Sequence, residues 1–252
     1  MASIDRKGPA PILILDETEY TILTAVCLGT IPPDHRRTRS LRKAGILNTA
    51  GPTPECAPIV EGLTTARRRF LGSLMHPAEG RHIETWIGAQ SVTGVLIEGN
   101  THRLQEVAPC DNPSLVLPLL DLRPREMVDL GPHTLPGKFV ELIDRGNLDA
   151  ADRLLRQVSK NIDHGGEPGA HDGPSPLTVS FAHGTWTVSA LACFDLDGEQ
   201  WRMSDLILTL SVPECLYELA YDDTQDEAIT RLAPVSSLAV WTRISSWFFP
   251  RG

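Results

Sequence analysis

The sequence predicts an α+β domain built as two copies of one helix-and-strand unit. Three observations point there. The hydrophobic period is helical up to about residue 76, alternates as in strands from about 81 to 107, and turns helical again after Asn112. The second half then runs through a similar series of helix, three short strands and helix. Each half alone would expose an apolar sheet face, which packing the halves together covers. The 252 residues are therefore expected to form a single domain of two similar halves, about 11–130 and 131–252.

The elements follow from local chemistry. "PILIL" (Pro11–Leu15) reads as a short buried strand. Asp16 suits the N-cap of the next helix, Glu19 sits at N3 as in a capping box, and Leu15 with Tyr20 can form a hydrophobic staple. Ile22, Leu23, Val26 and Cys27 make its buried stripe, and Gly29 stops it. A short helix is expected around Ser40–Lys43. A third covers "PECAPIVEGLTTARRRFLGSLMH" (54–76), with Ile59, Leu63, Phe70, Leu71 and Leu74 inward. "RHIETWIGA" (81–89) alternates as a strand, with His82, Glu84 and Trp86 on one face. "VTGVLIEGNTHRLQEVA" (92–108) gives two more strands around the turn Glu98-Gly99-Asn100. "NPSLVLPLLDLRPRE" (112–126) is helix, shortened or kinked by Pro118.

In the second half, "LPGKFVELIDRGNLDAADRLLRQV" (135–158) is helical with a break at Gly146-Asn147. Leu148, Ala151, Leu154, Leu155 and Val158 share one face. "NIDHGGEPGAHDGPSP" (161–176) is a loop by composition. "LTVSF", "TWTVSALACFDL" and "EQWRMSDLILTL" are expected as three strands, and "VPECLYELAYDD" as a short helix. A terminal helix carries Leu238, Trp241, Ile244 and Phe248 at helical spacing, with Pro234 suited to N1.

Composition excludes several function classes. A net charge of −9 argues against binding nucleic acid or an anionic membrane wholesale. The basic island His35–Lys43 reads as a solvated loop and helix start. The five cysteines are scattered with no CxxC, so neither a disulfide framework nor a zinc ribbon is expected, and the compartment reads as reducing. No signal segment and no 18-residue apolar run is present, and a cytoplasmic location is expected.

Candidate chemistry is sparse. Asp195, Asp197, Glu199 and Asp205 crowd one acidic stretch, yet an EF-hand loop needs glycine at its sixth position and glutamate at its twelfth. Counting from Asp195 those positions hold Gln200 and Leu206, and Asp197-Gly198 reads instead as a hairpin turn. His164 and His171, beside Asp163 and Asp172, could bind zinc only on a rigid support, which a glycine-rich loop does not supply. Nucleophile-elbow, dinucleotide-binding, P-loop and H-E-x-x-H motifs are all absent. The expectation is a protein with no catalytic residue, no metal and no cofactor. A small hydrolase whose site assembles only in the fold, for instance with His82 or His102 near a carboxylate, remains the alternative, as does a self-associating structural domain.

The order of elements, from "ILILDETEYTILTAVC" through the strand meanders to "DLDGEQW" and a helical C-terminus, resembles the EspG family of type VII (ESX) secretion, cytosolic chaperones of actinobacteria. The resemblance spans about residues 11–249. It implies a quasi-twofold α+β fold with a central antiparallel sheet flanked by two helical bundles. It also implies a role in binding a helical PE–PPE-like heterodimer and keeping it soluble before export. The family's client-binding loop corresponds here to Gly88–Val92, which nominates Ala89, Gln90, Ser91 and Val92. Its C-terminal bundle corresponds to the segments around 206–220 and 234–249, which nominates Trp241, Ile244, Trp247 and Phe248. A homodimer stays open.

Overall fold

A computed structural model describes residues 1–8, 10–76, 79–88, 90–108, 111–120, 122–123, 125, 132–162, 175–222 and 228–248. Among them the fold is α+β, with one large antiparallel sheet and eight α-helices. Strands β1 (Ser3–Asp5) and β2 (Ile12–Asp16) lead into helices α1 (Glu17–Cys27), α2 (Arg39–Lys43) and α3 (Ala57–Thr65), with a 3-10 turn at Arg36–Thr38. Strands β3 (Arg68–His76), β4 (Glu79–Ile87), β5 (Val92–Glu98) and β6 (Thr101–Val107) follow, then α4 (Asn112–Leu120). The chain continues through β7 (His133–Pro136), α5 (Lys138–Asp144), α6 (Leu148–Ile162) and α7 (Pro176–His183). It ends with β8 (Thr187–Asp197), β9 (Gln200–Ser211), β10 (Leu216–Asp222), β11 (Ile229–Pro234) and α8 (Ser237–Phe248). The strand order is β1-β2-β6-β5-β4-β3-β8-β9-β10-β11-β7. One series, strand, three helices, four strands, helix, thus occurs twice, from β2 to α4 and from β7 to α8.

Local signals placed several elements correctly. Asp16 caps α1, accepting from the Glu19 N–H at 2.9 Å while Glu19 accepts from the Asp16 N–H at 3.2 Å. Gly29 (φ +71°) donates to Val26 O and Thr30 to Ala25 O, a Schellman closure. The β5–β6 hairpin pairs Glu98 with Thr101 across Gly99-Asn100, and Gly99 takes φ +58°.

Other expectations are corrected. The helix expected over 54–76 ends at Thr65, and Phe70, Leu71 and Leu74 lie on β3. Seven residues from Leu63 to Phe70 suit two helical turns, so the helical spacing ran on into a strand. "LTVSF" lies in α7, where Ser175 caps the first turn, Pro176 takes N1 and Gly184 (φ +65°) closes the end. Within "VPECLYELAYDD", Leu216–Asp222 form β10, paired with β9 and with the unanticipated β11 (Leu219↔Leu232). Residues 206–220 are therefore mostly strand rather than helical bundle. Pro234 ends β11, and Ser236 instead caps α8 by accepting from the Ala239 N–H at 3.1 Å. Strands β1, β3 and β7 were also missed.

The chain divides into two compact units whose limits differ from the expected halves. The first comprises Met1–Gly72, Arg81–Leu117 and Ala192–Leu206; the second comprises Ser73–Gly80, Pro118–Leu191 and Ile207–Gly252. In the first, α1, α2 and α3 pack around Leu13, Leu15, Leu23, Leu41, Ile59, Leu63, Trp86, Val95 and Leu104. In the second, α5, α6 and α7 gather around Phe139, Ile143, Leu155, Phe181, Trp186, Val188, Tyr217 and Leu232. Trp186 donates its indole N–H to Asp152 Oδ1 at 2.9 Å, satisfying the one polar atom of a fully buried ring. No helix among the described residues is long and apolar enough to cross a membrane.

Candidate functional site

The nominated partner residues do not form one exposed surface. Gln90 is exposed, Ala89 lies outside the described residues, and Ser91 and Val92 are buried at 5% and 2% exposure. Their turn is tight, with the Gly88 N–H donating to Ser91 O at 2.9 Å. A Cβ at Gly88 would collide with Thr65 Oγ1, which explains the glycine there. On α8, Ile244 and Trp247 point inward with Val240, at the i, i+4, i+7 spacing of a core face, while Trp241 and Phe248 are half-buried. Burial thus removes Ser91, Val92, Ile244 and Trp247 from any surface that this conformation offers a partner. The exposed large apolar side chain of α8 is Leu238, at 72%.

The acidic stretch forms a hairpin end. Asp195 Oδ1 accepts from Arg68 Nε at 2.6 Å, and that bond holds the carboxyl below its ordinary range. Asp197 pairs with Arg202 at 3.1 Å, and Gly198 takes φ +64° in the turn to β9. Among the described residues no three His, Cys, Asp or Glu side chains gather as a metal site; His164, His171, Asp163 and Asp172 lie outside them. Cys27, Cys56, Cys193 and Cys215 are free thiols, and burial pushes Cys27 up to about 12. A thiol so shifted is a poor nucleophile at neutral pH.

A polar cluster lies between α1 and the sheet of the first unit. The Tyr20 hydroxyl donates to Glu84 Oε2, Trp86 Nε1 donates to Tyr20 Oη at 3.1 Å, and Arg69 pairs with Glu84 Oε1. The Arg69 guanidinium also sits 4.6 Å from the Trp86 ring centroid. His102 stacks on Tyr20 at 4.5 Å and places Nε2 3.1 Å from Glu17 Oε2. Burial raises both the Tyr20 hydroxyl and the Glu84 carboxyl above their ordinary values. The expected juxtaposition of His102 with a carboxylate is therefore present, but the ring is only 2% exposed. The Tyr20–Glu84, Trp86–Tyr20 and Glu17–His102 contacts tie α1 to β4 and β6, while His102 Nδ1 stays buried without a hydrogen bond.

On the solvent side, Tyr20, Thr24, Leu28, Arg69, Trp86 and Trp201 line a 340 Å³ groove, in which Trp201 meets Trp86 edge-on at 5.6 Å. A second groove of 510 Å³ is lined by Glu17, Thr18, Thr21, Ile22 and Arg37. Sequence reasoning placed Glu84 and Trp86 on one strand face but missed both grooves. The alternation of β4 was the available signal; Tyr20, 64 residues away, carried none.

No family model matches the chain, and no curated protein matches it in sequence. In fold it is similar to a solved structure of the Mycobacterium tuberculosis type VII secretion system chaperone EspG5 in complex with a PE25-PPE41 dimer. The TM-score is 0.52 at 11% identity, over 94% of this chain and 95% of that one. At that identity the likeness is one of fold, carried across nearly the full length of both chains.

Proposed function

We propose that this protein is a non-catalytic, cytoplasmic chaperone or adaptor that binds a PE–PPE-like secretion substrate and keeps it soluble before export by a type VII system. The supporting observation is the fold likeness to the secretion chaperone, which spans 94% of this chain. The two matching series, β2 to α4 and β7 to α8, are on this reading copies of one unit related by a quasi-twofold axis, with a helical bundle on each. Of the residues nominated from sequence, Gln90, Trp241 and Phe248 remain candidates for client contact, as does Ala89 outside the described residues, with Leu238 added by its exposure. A chaperone of this kind requires no titratable reaction centre, only a rigid sheet and an accessible apolar patch.

The test is co-expression with PE–PPE pairs encoded near this chain's gene, followed by size-exclusion chromatography with light scattering. A soluble complex of one chain with one heterodimer is expected. PE–PPE pairs that stay insoluble or elute apart from this chain, together with hydrolysis of small ester or amide substrates by the purified protein, would overturn the reading.

A further inference from the structure

The most basic stretch of this acidic chain runs from Asp34 to Lys43. It holds Arg36, Arg37, Arg39, Arg42 and Lys43 against Asp34 alone, while the whole protein carries −9. The stretch is held in place. Thr38 is fully buried and its hydroxyl is shared between Pro33 O and His35 O, both at 2.7 Å. His35 Nδ1 accepts from the Arg37 N–H at 3.2 Å, and Leu41 is fully buried. With Thr38 and Leu41 inward, Arg36, Arg39 and Lys43 recur at i, i+3 and i+7 on the exposed side. Among the described residues none of the five cations has a carboxylate partner, and Arg42 Nε is buried without a hydrogen bond. Arg37 also lines the 510 Å³ groove with Thr18, Thr21 and Ile22, so one of the cations stands beside an apolar side chain. Glu17 stands on the same rim, with its Oε2 3.1 Å from His102 Nε2.

We propose that the basic turn and the adjoining face of α1 dock an acidic, amphipathic peptide segment of a protein partner. Its carboxylates meet Arg36, Arg39 and Lys43, and one apolar side chain enters the groove beside Ile22 and Arg37. Charge favours a peptide over nucleic acid or a membrane. Those surfaces extend far beyond the screening distance of about 8 Å at physiological salt, and would meet the acidic remainder of the chain as well. A short peptide covers the patch alone. The proposal goes beyond the client-binding reading and does not depend on it.

The probe is a fluorescein-labelled synthetic helix with glutamate on one face and leucine on the other, compared by fluorescence anisotropy with its lysine-for-glutamate counterpart. The acidic peptide is expected to bind, more weakly as salt rises, and the lysine peptide not to bind. Arg36→Glu, Arg39→Glu and Lys43→Glu together should weaken binding at least about tenfold with an unchanged melting temperature. The corresponding triple glutamine variant should lie between, and it decides the matter if charge reversal unfolds the chain. Undiminished binding by a folded triple variant, equal binding of the lysine peptide, no binding of the acidic one, or tighter binding to duplex DNA or phosphatidylserine vesicles would each overturn the proposal.

Discussion

Glu84 is the residue on which the first unit's polar cluster turns. It is 2% exposed, accepts from Tyr20 and pairs with Arg69. Glu84→Leu would leave a guanidinium without its counter-charge and a buried hydroxyl without its acceptor. A loss of roughly 3 kcal/mol in urea unfolding is expected. Tyr20→Phe removes only the hydroxyl and should cost about 1–2 kcal/mol. The pH dependence separates the roles further. Burial raises the Glu84 carboxyl, with Arg69, Tyr20 and His102 pulling the other way without reversing it. A carboxyl that is a weaker acid folded than unfolded contributes fully below its unfolded value, near ~4.3, and the contribution is lost as pH climbs through the raised native value. The stability of the wild type relative to Glu84→Gln should therefore fall from pH ~4 upward, read as the difference in melting temperature at each pH. A difference that grew with pH would mean that Arg69 outweighs burial.

At the scale of elements, α1 and α3 make opposite demands on their ends and faces. Asp16→Ala removes the side-chain half of the capping box and should destabilise the protein by about 1 kcal/mol in thermal or urea melts. Gly62 lies where α3 presses on β5, and a Cβ there would collide with Thr93 Oγ1 and come within 2.9 Å of the Thr93 backbone N. Thr93 cannot easily yield, because its hydroxyl donates to Ile59 O at 2.5 Å. Gly62→Ala should cost about 1–3 kcal/mol, against a smaller, purely backbone penalty for Gly99→Ala at the open β5–β6 turn, both measured by urea unfolding. The same elements show how far the sequence could be read. The capping box, the Gly29 closure and the Gly99-Asn100 turn are local chemistry, and each was legible. β10 was not, since "VPECLYELAYDD" has helical spacing and becomes a strand only through pairing on both edges. The nominated site suffered in the same way. Periodicity identifies the apolar face of α8 but does not say that the core, rather than a partner, covers Ile244 and Trp247.

For the whole molecule, the division into units bears on what can fold alone. Cutting near residue 130 follows the repeat seen in the sequence, yet the first compact unit includes Ala192–Leu206. That segment brings Asp195 to Arg68 at 2.6 Å, the Leu196 N–H to Arg67 O at 2.9 Å, and Trp201 edge-on to Trp86. A fragment of residues 1–130 loses all three and uncovers Trp86, one of the largest buried side chains of its core. It should show weak near-UV circular dichroism and a broad, non-cooperative melt, whereas the full chain should melt with the Trp86 environment intact up to a sharp transition. Supplying residues 192–206 within the same chain, by a flexible linker after residue 130, should restore part of the aromatic signal. A fragment 1–130 that folds cooperatively unaided would mean that these contacts decorate the first unit rather than complete it.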